Sequence, residues 1–150
     1  MKPVRTGIIG LGNMGSSHAK DVTESDVLEL AGLCDIDPER LEAVGSNYDA
    51  PRFADALEMM DQAELEALIV ATPHYDHTPL SIAALERGIH VLCEKPVGVH
   101  VKDVRKMIDA YGEARRAHPD LKFAAMFQQR TYVSWQKIKQ MIAGGELGKL

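Results

Sequence analysis

The sequence predicts an α/β fold, a doubly wound and mostly parallel six-stranded sheet, on three observations. Short apolar runs alternate with longer segments of helical period, the pattern that builds βαβ units. The first apolar run passes straight into Gly10-Leu11-Gly12-Asn13-Met14-Gly15, and the second closes on an acid, Asp35. At 150 residues and 45 % hydrophobic content, the chain is of a size that buries about 70 % of its unfolded surface. That is enough for one well-cored domain.

Thr6 to Ile9 is the first strand, and a helix from about Met14 to Val22 follows the glycines. Val27 to Cys34 is the second strand. Asp37-Pro38 reads as N-cap and first helical residue, because proline's missing N–H is no loss there, and that helix should reach Gly45 or Ser46. Arg52-Phe53 forms a minimal third strand, Asp55 can cap a further helix through Met60, and Ala67 to Ala71 is an apolar fourth strand ending in Thr72-Pro73. Thr78 to Arg87 has helical period and stops at Gly88, a residue that tolerates the left-handed conformation at a helix end. Ile89 to Cys93 is the fifth strand, Val101 to Arg116 an amphipathic helix, and Lys122 to Phe127 the sixth strand. Val133 to Ile142 is a last helix closed by Gly144-Gly145, and Glu146 to Leu150 resembles the lead-in to another strand.

Charge and composition narrow the function classes. The formal charge of −5 comes from 22 acidic and 17 basic residues spread along the chain, with no basic run to neutralise a series of phosphates. Nucleic acid is not an expected partner. No stretch approaches the roughly 18 apolar residues of a membrane span, and the start lacks the apolar region and cleavage site of a secretory signal. Cys34 and Cys93, each at the end of a strand-like run, read as reduced core thiols. Together these features predict a cytoplasmic location with no membrane partner.

The glycine loop carries the first chemical signal. GxGxxG alone is weak, but here it lies between a strand and a helix, with an acid about twenty residues beyond Gly15. Gly10 can take the tight turn, Gly12 lets a pyrophosphate approach the backbone, and Gly15 lets the helix lie close on the strand. Amide groups at the helix start then face the phosphates. Asp35 is placed to hold the adenosine ribose hydroxyls and to repel a 2′-phosphate, and no arginine follows it immediately, so NAD is favoured over NADP. This describes a Rossmann-type dinucleotide fold. The loop and acid taken alone also fit a methyltransferase that uses S-adenosylmethionine.

Two later segments separate those readings: Ala71-Thr72-Pro73-His74-Tyr75-Asp76-His77 after the fourth strand, and His90-Val91-Leu92-Cys93-Glu94-Lys95-Pro96 across the fifth. In this order they resemble the amino-terminal domain of the glucose-fructose oxidoreductase, inositol dehydrogenase and rhizopine-catabolism (MocA) family, over essentially the whole chain. The resemblance implies an NAD(P)-dependent oxidoreductase acting on the CH–OH group of a sugar, cyclitol or related polyol. It implies that Gly10, Gly12, Asn13, Met14, Gly15 and Asp35 hold the pyrophosphate and adenosine side. Ala71, Thr72, Pro73, His74 and His77 would line the middle of the cofactor, and Glu94 would accept from the nicotinamide ribose. Lys95 would point at the substrate and also border the cofactor, and Arg130, which matches an arginine that follows the sixth strand, would contact the cofactor too. The family more often has asparagine where Gln128 stands.

The case for Lys95 also has a chemical basis. Hydride leaving a carbinol carbon builds carbonyl character there while the hydroxyl proton must go elsewhere, and the reverse reaction builds alkoxide charge. An ammonium beside that oxygen stabilises the charge and relays the proton. The competing reading is an exposed strand-end lysine paired with Glu94. A cis Lys95-Pro96 peptide is expected, as a defined way to fix the turn that aims Lys95. The remaining histidines, His18, His90, His100 and His118, read as ordinary helix, strand or surface residues. No spacing fits a zinc site, so no metal is expected.

The reading divides the chain into a dinucleotide-binding domain, residues 1–127, and a helix with a truncated lead-in to a second α+β domain, residues 128–150. In the resembled family that second domain supplies substrate contacts, so the 150 residues are expected to bind NAD(H) and turn over substrate poorly by themselves. Val133, Trp135, Ile138 and Ile142 either pack on the first domain or form an apolar patch that invites a homo-oligomer. A non-catalytic dinucleotide-binding or redox-sensing module is the alternative function.

Overall fold

The computed structural model describes residues 2–149. In chain order the elements are β1 (Val4–Ile9), α1 (Asn13–Thr23), β2 (Leu28–Cys34), α2 (Pro38–Gly45), β3 (Arg52–Phe53), α3 (Ala56–Gln62) and β4 (Ala67–Val70). They continue with α4 (His77–Glu86), β5 (His90–Cys93), α5 (Val101–Ala117), β6 (Phe123–Ala125), a 3-10 turn (Gln128–Arg130) and α6 (Val133–Ala143). The strands form one six-stranded sheet in the order β3-β2-β1-β4-β5-β6. Every strand pair is parallel. Sequence order runs outward from β1 through β2 to β3 and then restarts beside β1 at β4, which opens a crevice at the carboxyl ends of β1 and β4.

Both faces of the sheet are covered, which is why its inner strands read as unbroken apolar runs. Side chains alternate across a strand, so neighbours in sequence enter opposite cores. Ile8, Leu33 and Ile69 join Leu11, Ala19 and Val22 beneath α1. Ile9, Cys34, Leu68 and Val70 join Met59, Leu85 and Met107 on the other side, beneath α3, α4 and α5. Burial of the two thiols raises Cys34 to about 12, with Asp35 and Asp55 adding to the effect, and Cys93 to about 11.

Local signals behave as their chemistry requires. Asp37 caps α2, its Oδ1 accepting from the Glu39 and Arg40 amides at 3.0 and 3.3 Å with Pro38 as the first helical residue. Asp55 Oδ1 accepts from the Glu58 amide at 2.8 Å. Gly88 ends the α4 segment at φ +74°.

The sixth strand is shorter than the expected Lys122 to Phe127. β6 pairs only with β5, whose last paired residue is Cys93. One more bond, from the Met126 amide to the Cys93 carbonyl at 2.8 Å, closes the ladder before the chain turns into the 3-10 segment. No residue of α6 is buried, and Val133, Trp135, Ile138 and Ile142 are 40 to 81 % exposed. These residues therefore do not pack on the first domain and instead form an exposed apolar surface. Among the described residues no helix is long and apolar enough to cross a membrane.

Candidate functional site

The loop after β1 is shaped by what glycine lacks. Gly10 sits at φ +86°, and a Cβ there would lie 2.7 to 2.8 Å from the backbone of Thr72 and Ala71, so the turn is pressed against the end of β4. At Gly15 a Cβ would fall 1.7 Å from the Gly10 carbonyl oxygen, which leaves no room for a side chain where α1 folds back over the loop. Gly12 differs from both. Its backbone is extended, and a Cβ would meet nothing within 4 Å. It faces open space, as a position that admits a ligand must.

Gly12 is also the N-cap of α1, with no side-chain cap and no acid in the first turn. The first amides of a helix have no partner within it, and here the positive end of the helix dipole is left uncompensated. Such an end takes a phosphate. Asn13 and Met14 are exposed at this end of the helix.

Asp35, at the end of β2, is 5 % exposed. Its Oδ2 accepts from the Leu11 amide at 2.7 Å and its Oδ1 from the Asp37 amide at 2.9 Å, so the carboxylate pins the glycine loop to the β2 turn. A carboxylate has about four acceptor positions, and two amides leave capacity for the hydroxyls of a sugar. Arg40, one turn into α2, reaches back to within 3.6 Å of Asp35 Oδ2 and 3.4 Å of Asp37 Oδ2. Sequence reading looked for an arginine directly after Asp35 and missed one brought back by the helix.

A crevice of about 540 Å³ joins these parts, lined by Gly10, Gly12, Asp35, Arg40, Ala71 and Thr72 among others. The Thr72 hydroxyl oxygen is buried with no hydrogen-bond partner among the described residues. An elongated ligand bearing phosphates and sugar hydroxyls fits this set: open space over Gly12, uncapped amides, an acceptor at Asp35 and an orphaned hydroxyl at Thr72. Pro73 also lines the crevice, whereas His74 is exposed beside it, its ring edge-on to His77 at 5.6 Å.

His77 is fully buried. Its Nδ1 lies 2.8 Å from the Pro96 carbonyl and its Nε2 2.9 Å from the Thr72 carbonyl. It is not among the residues that line the crevice, and both of its ring nitrogens face backbone carbonyls. It ties the end of β4 to the turn after β5.

That turn holds the expected cis Lys95-Pro96 peptide. Glu94 is 4 % exposed; its Oε1 lies 2.9 Å from His18 Nε2 and its Oε2 accepts from the Lys95 amide at 3.1 Å. The Lys95 side chain is exposed and makes no ion pair among the described residues, so the competing Lys95–Glu94 pairing is absent. His18 was read as an ordinary helix residue; it is 7 % exposed and is Glu94's partner. The signal was available, since Gly15, His18, Ala19 and Val22 recur at the spacing of one helix face.

Arg130 does not line the crevice. It lines a separate open groove with Trp135, Gln136 and Lys139, and its guanidinium lies over the Phe127 ring at 5.6 Å. Among the described residues no group of three or more metal-ligating side chains comes together.

Comparison with known proteins places this geometry. The model of an oxidoreductase family with an NAD-binding Rossmann fold, Gfo/Idh/MocA, matches residues 4–119. Inositol 2-dehydrogenase 4 of Saccharopolyspora erythraea is 31 % identical over 150 residues, covering 99 % of this chain and 43 % of that protein. The WlbA dehydrogenase from Bordetella pertussis, solved in complex with NADH and UDP-GlcNAcA, superposes with a TM-score of 0.89 at 29 % identity, covering 99 % of this chain and 42 % of the other. The scyllo-inositol dehydrogenase from Lactobacillus casei, solved with bound NAD(H) and scyllo-inositol, gives a TM-score of 0.87 at 27 % identity, covering 99 % and 43 %. The chain spans less than half the length of these relatives.

Proposed function

Since this chain belongs to the Gfo/Idh/MocA oxidoreductase family as its NAD-binding Rossmann domain, we propose that it serves hydride transfer at the CH–OH carbon of a sugar, cyclitol or related polyol. The observation that carries the proposal is the uncapped start of α1 facing a crevice at the carboxyl ends of β1 and β4, with the Lys95 turn following the neighbouring strand.

In this reading the amides at the start of α1 and the open backbone at Gly12 take the pyrophosphate, with Gly10 and Gly15 shaping the loop and Asn13 and Met14 flanking it. Asp35 accepts from the adenosine ribose. Ala71, Thr72, Pro73 and His74 border the middle of the cofactor, and Glu94 accepts from the nicotinamide ribose. The nicotinamide supplies the hydride acceptor or donor when bound. As the neutral amine Lys95 would take up the hydroxyl proton as the carbinol is oxidised, and as the ammonium so formed it would donate that proton to the oxygen in the reverse direction. Its ammonium also stabilises negative charge on that oxygen. Its exposure supports the further reading that other protein surface closes over it, so that residues 128–150 open a second domain in which Arg130 contributes to the site. The exposed apolar residues of α6 would be covered there or in a homo-oligomer.

Titration with NADH and NADPH, followed by nicotinamide fluorescence, tests the cofactor half, and a panel of inositols and aldoses with NAD tests the chemistry. Tight NADH binding with poor turnover by these 150 residues is the expected result; robust turnover would refute the two-domain reading. A full-length relative carrying these motifs that binds NADH and oxidises no polyol would favour the redox-sensing module.

A further inference from the structure

Helix α1 carries two chemistries on different parts of its surface. Its first turn presents bare amides to the crevice, and its buried face, Gly15, His18, Ala19 and Val22, lies against the sheet. His18 reaches Glu94 from there, although 76 residues separate them in sequence. Both side chains are more than nine-tenths buried, and the His18 Nε2 to Glu94 Oε1 distance is 2.9 Å. A carboxylate oxygen accepts, so Nε2 is the donor. The second oxygen of Glu94 is held by the Lys95 amide at 3.1 Å. The carboxylate is thus gripped from two elements, α1 on one side and the turn after β5 on the other.

We propose that His18 is a positioning residue that fixes the angle of the Glu94 carboxylate and locks the diphosphate cradle of α1 to the Lys95 turn. The inference rests on the reading of Glu94 as the acceptor for the nicotinamide ribose. His18 touches neither cofactor nor substrate in this role. A buried carboxylate with a free rotor would swing among orientations, whereas one held at both oxygens presents its remaining lone pairs in one direction. The two halves of a dinucleotide then meet their partners at a fixed separation. A ligand that ends at the diphosphate uses α1 but never reaches Glu94, and is indifferent to His18.

ADP and NADH distinguish this from a merely structural role. His18→Leu fills the space without a donor, and His18→Gln restores an N–H at the reach of Nε2. Loss of a hydrogen bond to a charged group in His18→Leu should weaken NADH binding about tenfold. ADP affinity should stay within about twofold and His18→Gln should return NADH binding to within about threefold of wild type, since the donor is regained. Equal losses for NADH and ADP, or no loss for NADH, overturn the proposal. Wild-type protein gives a second reading that needs no variant to fold: the ¹⁵N signals of the His18 ring should move on addition of NADH and stay in place with ADP. Movement with both ligands or with neither overturns it. Glu94→Gln separates the premise from the inference. Unchanged NADH affinity in that variant refutes the ribose contact itself; weakened affinity there with none lost in His18→Leu refutes His18 alone.

Discussion

Two glycines with opposite surroundings give the sharpest test of how the loop works: Gly15→Ala should damage the fold, and Gly12→Ala should damage ligand binding alone. At Gly15 the new methyl would lie 1.7 Å from the Gly10 carbonyl oxygen, half the 3.4 Å at which ordinary contact begins. The obstacle is backbone, and the Gly10 amide is itself bonded to the Cys34 carbonyl at 2.8 Å, so retreat of the loop drags on the sheet. Overpacking of this kind costs about 3 kcal/mol. Alanine's helical advantage over glycine returns about 1 kcal/mol. A net loss near 2 kcal/mol lowers Tm by roughly 4 to 8 °C for a chain of this size. At Gly12 the backbone is extended and the methyl meets no atom within 4 Å. Alanine is a poorer N-cap than glycine by less than about 1 kcal/mol, so Tm should fall by no more than about 4 °C. Yet the methyl would stand between a diphosphate and the α1 amides. Loss of one charge-assisted hydrogen bond corresponds to about 1.5 to 3 kcal/mol, a weakening of NADH binding of about 10- to 150-fold. Thermal unfolding and fluorescence titration of both variants decide the matter. Wild-type affinity in Gly12→Ala would remove the diphosphate from this loop, and wild-type stability in Gly15→Ala would refute the packing argument.

Asp35→Asn should act on stability and on cofactor choice together. An amide offers one oxygen where two backbone amides need acceptors, a loss of about 1 to 3 kcal/mol. It also removes the carboxylate beside Arg40, so the NADH-to-NADPH affinity ratio should narrow; an unchanged ratio counts against Asp35 facing the adenosine ribose. Lys95→Met should leave NADH affinity within about twofold, as expected of an exposed side chain outside the diphosphate cradle, while abolishing any polyol oxidation. Retained turnover would end its assignment as proton carrier. The thiols set an alkaline limit: folding raises Cys34 from 9.0 to about 12 and Cys93 from 9.0 to about 11. The unfolded chain therefore loses these protons first. Their contribution is complete below pH 9 and fades as pH rises toward the folded values. Replacing both cysteines with alanine should flatten the decline in unfolding free energy above pH 9, and an identical slope would contradict the burial argument.

The fold was legible because each strand is bounded by chemistry that has one physical use. Asp37-Pro38 and Asp55 start helices by capping them, and Gly88 adopts the left-handed turn. Apolar runs without alternation mark strands covered on both faces, as Ile8 and Ile9 enter opposite cores. β6 was overextended because an edge strand's length depends on its only neighbour, β5, which sequence pattern does not report. The glycines and Asp35 were legible for the same reason as the caps. His18 was legible as a position on the buried face of α1, but its partner Glu94, 76 residues away, was not; Arg40 was missed because the first turn of α2 folds it back onto Asp35. His77 was assigned by its place in a motif, and only the packing shows its ring turned toward backbone.

Helix α6 has eleven residues and buries none of them. Helices shorter than about 12 to 15 residues are marginal in water without tertiary support, so α6 should open many times for each unfolding of the sheet. Amide exchange there should be fast and insensitive to low denaturant, and a protease should nick the chain beyond Phe127 first. Every residue proposed to grip the dinucleotide except Arg130 precedes that cut, so the trimmed body should retain its affinity for NADH while losing the groove beside Trp135.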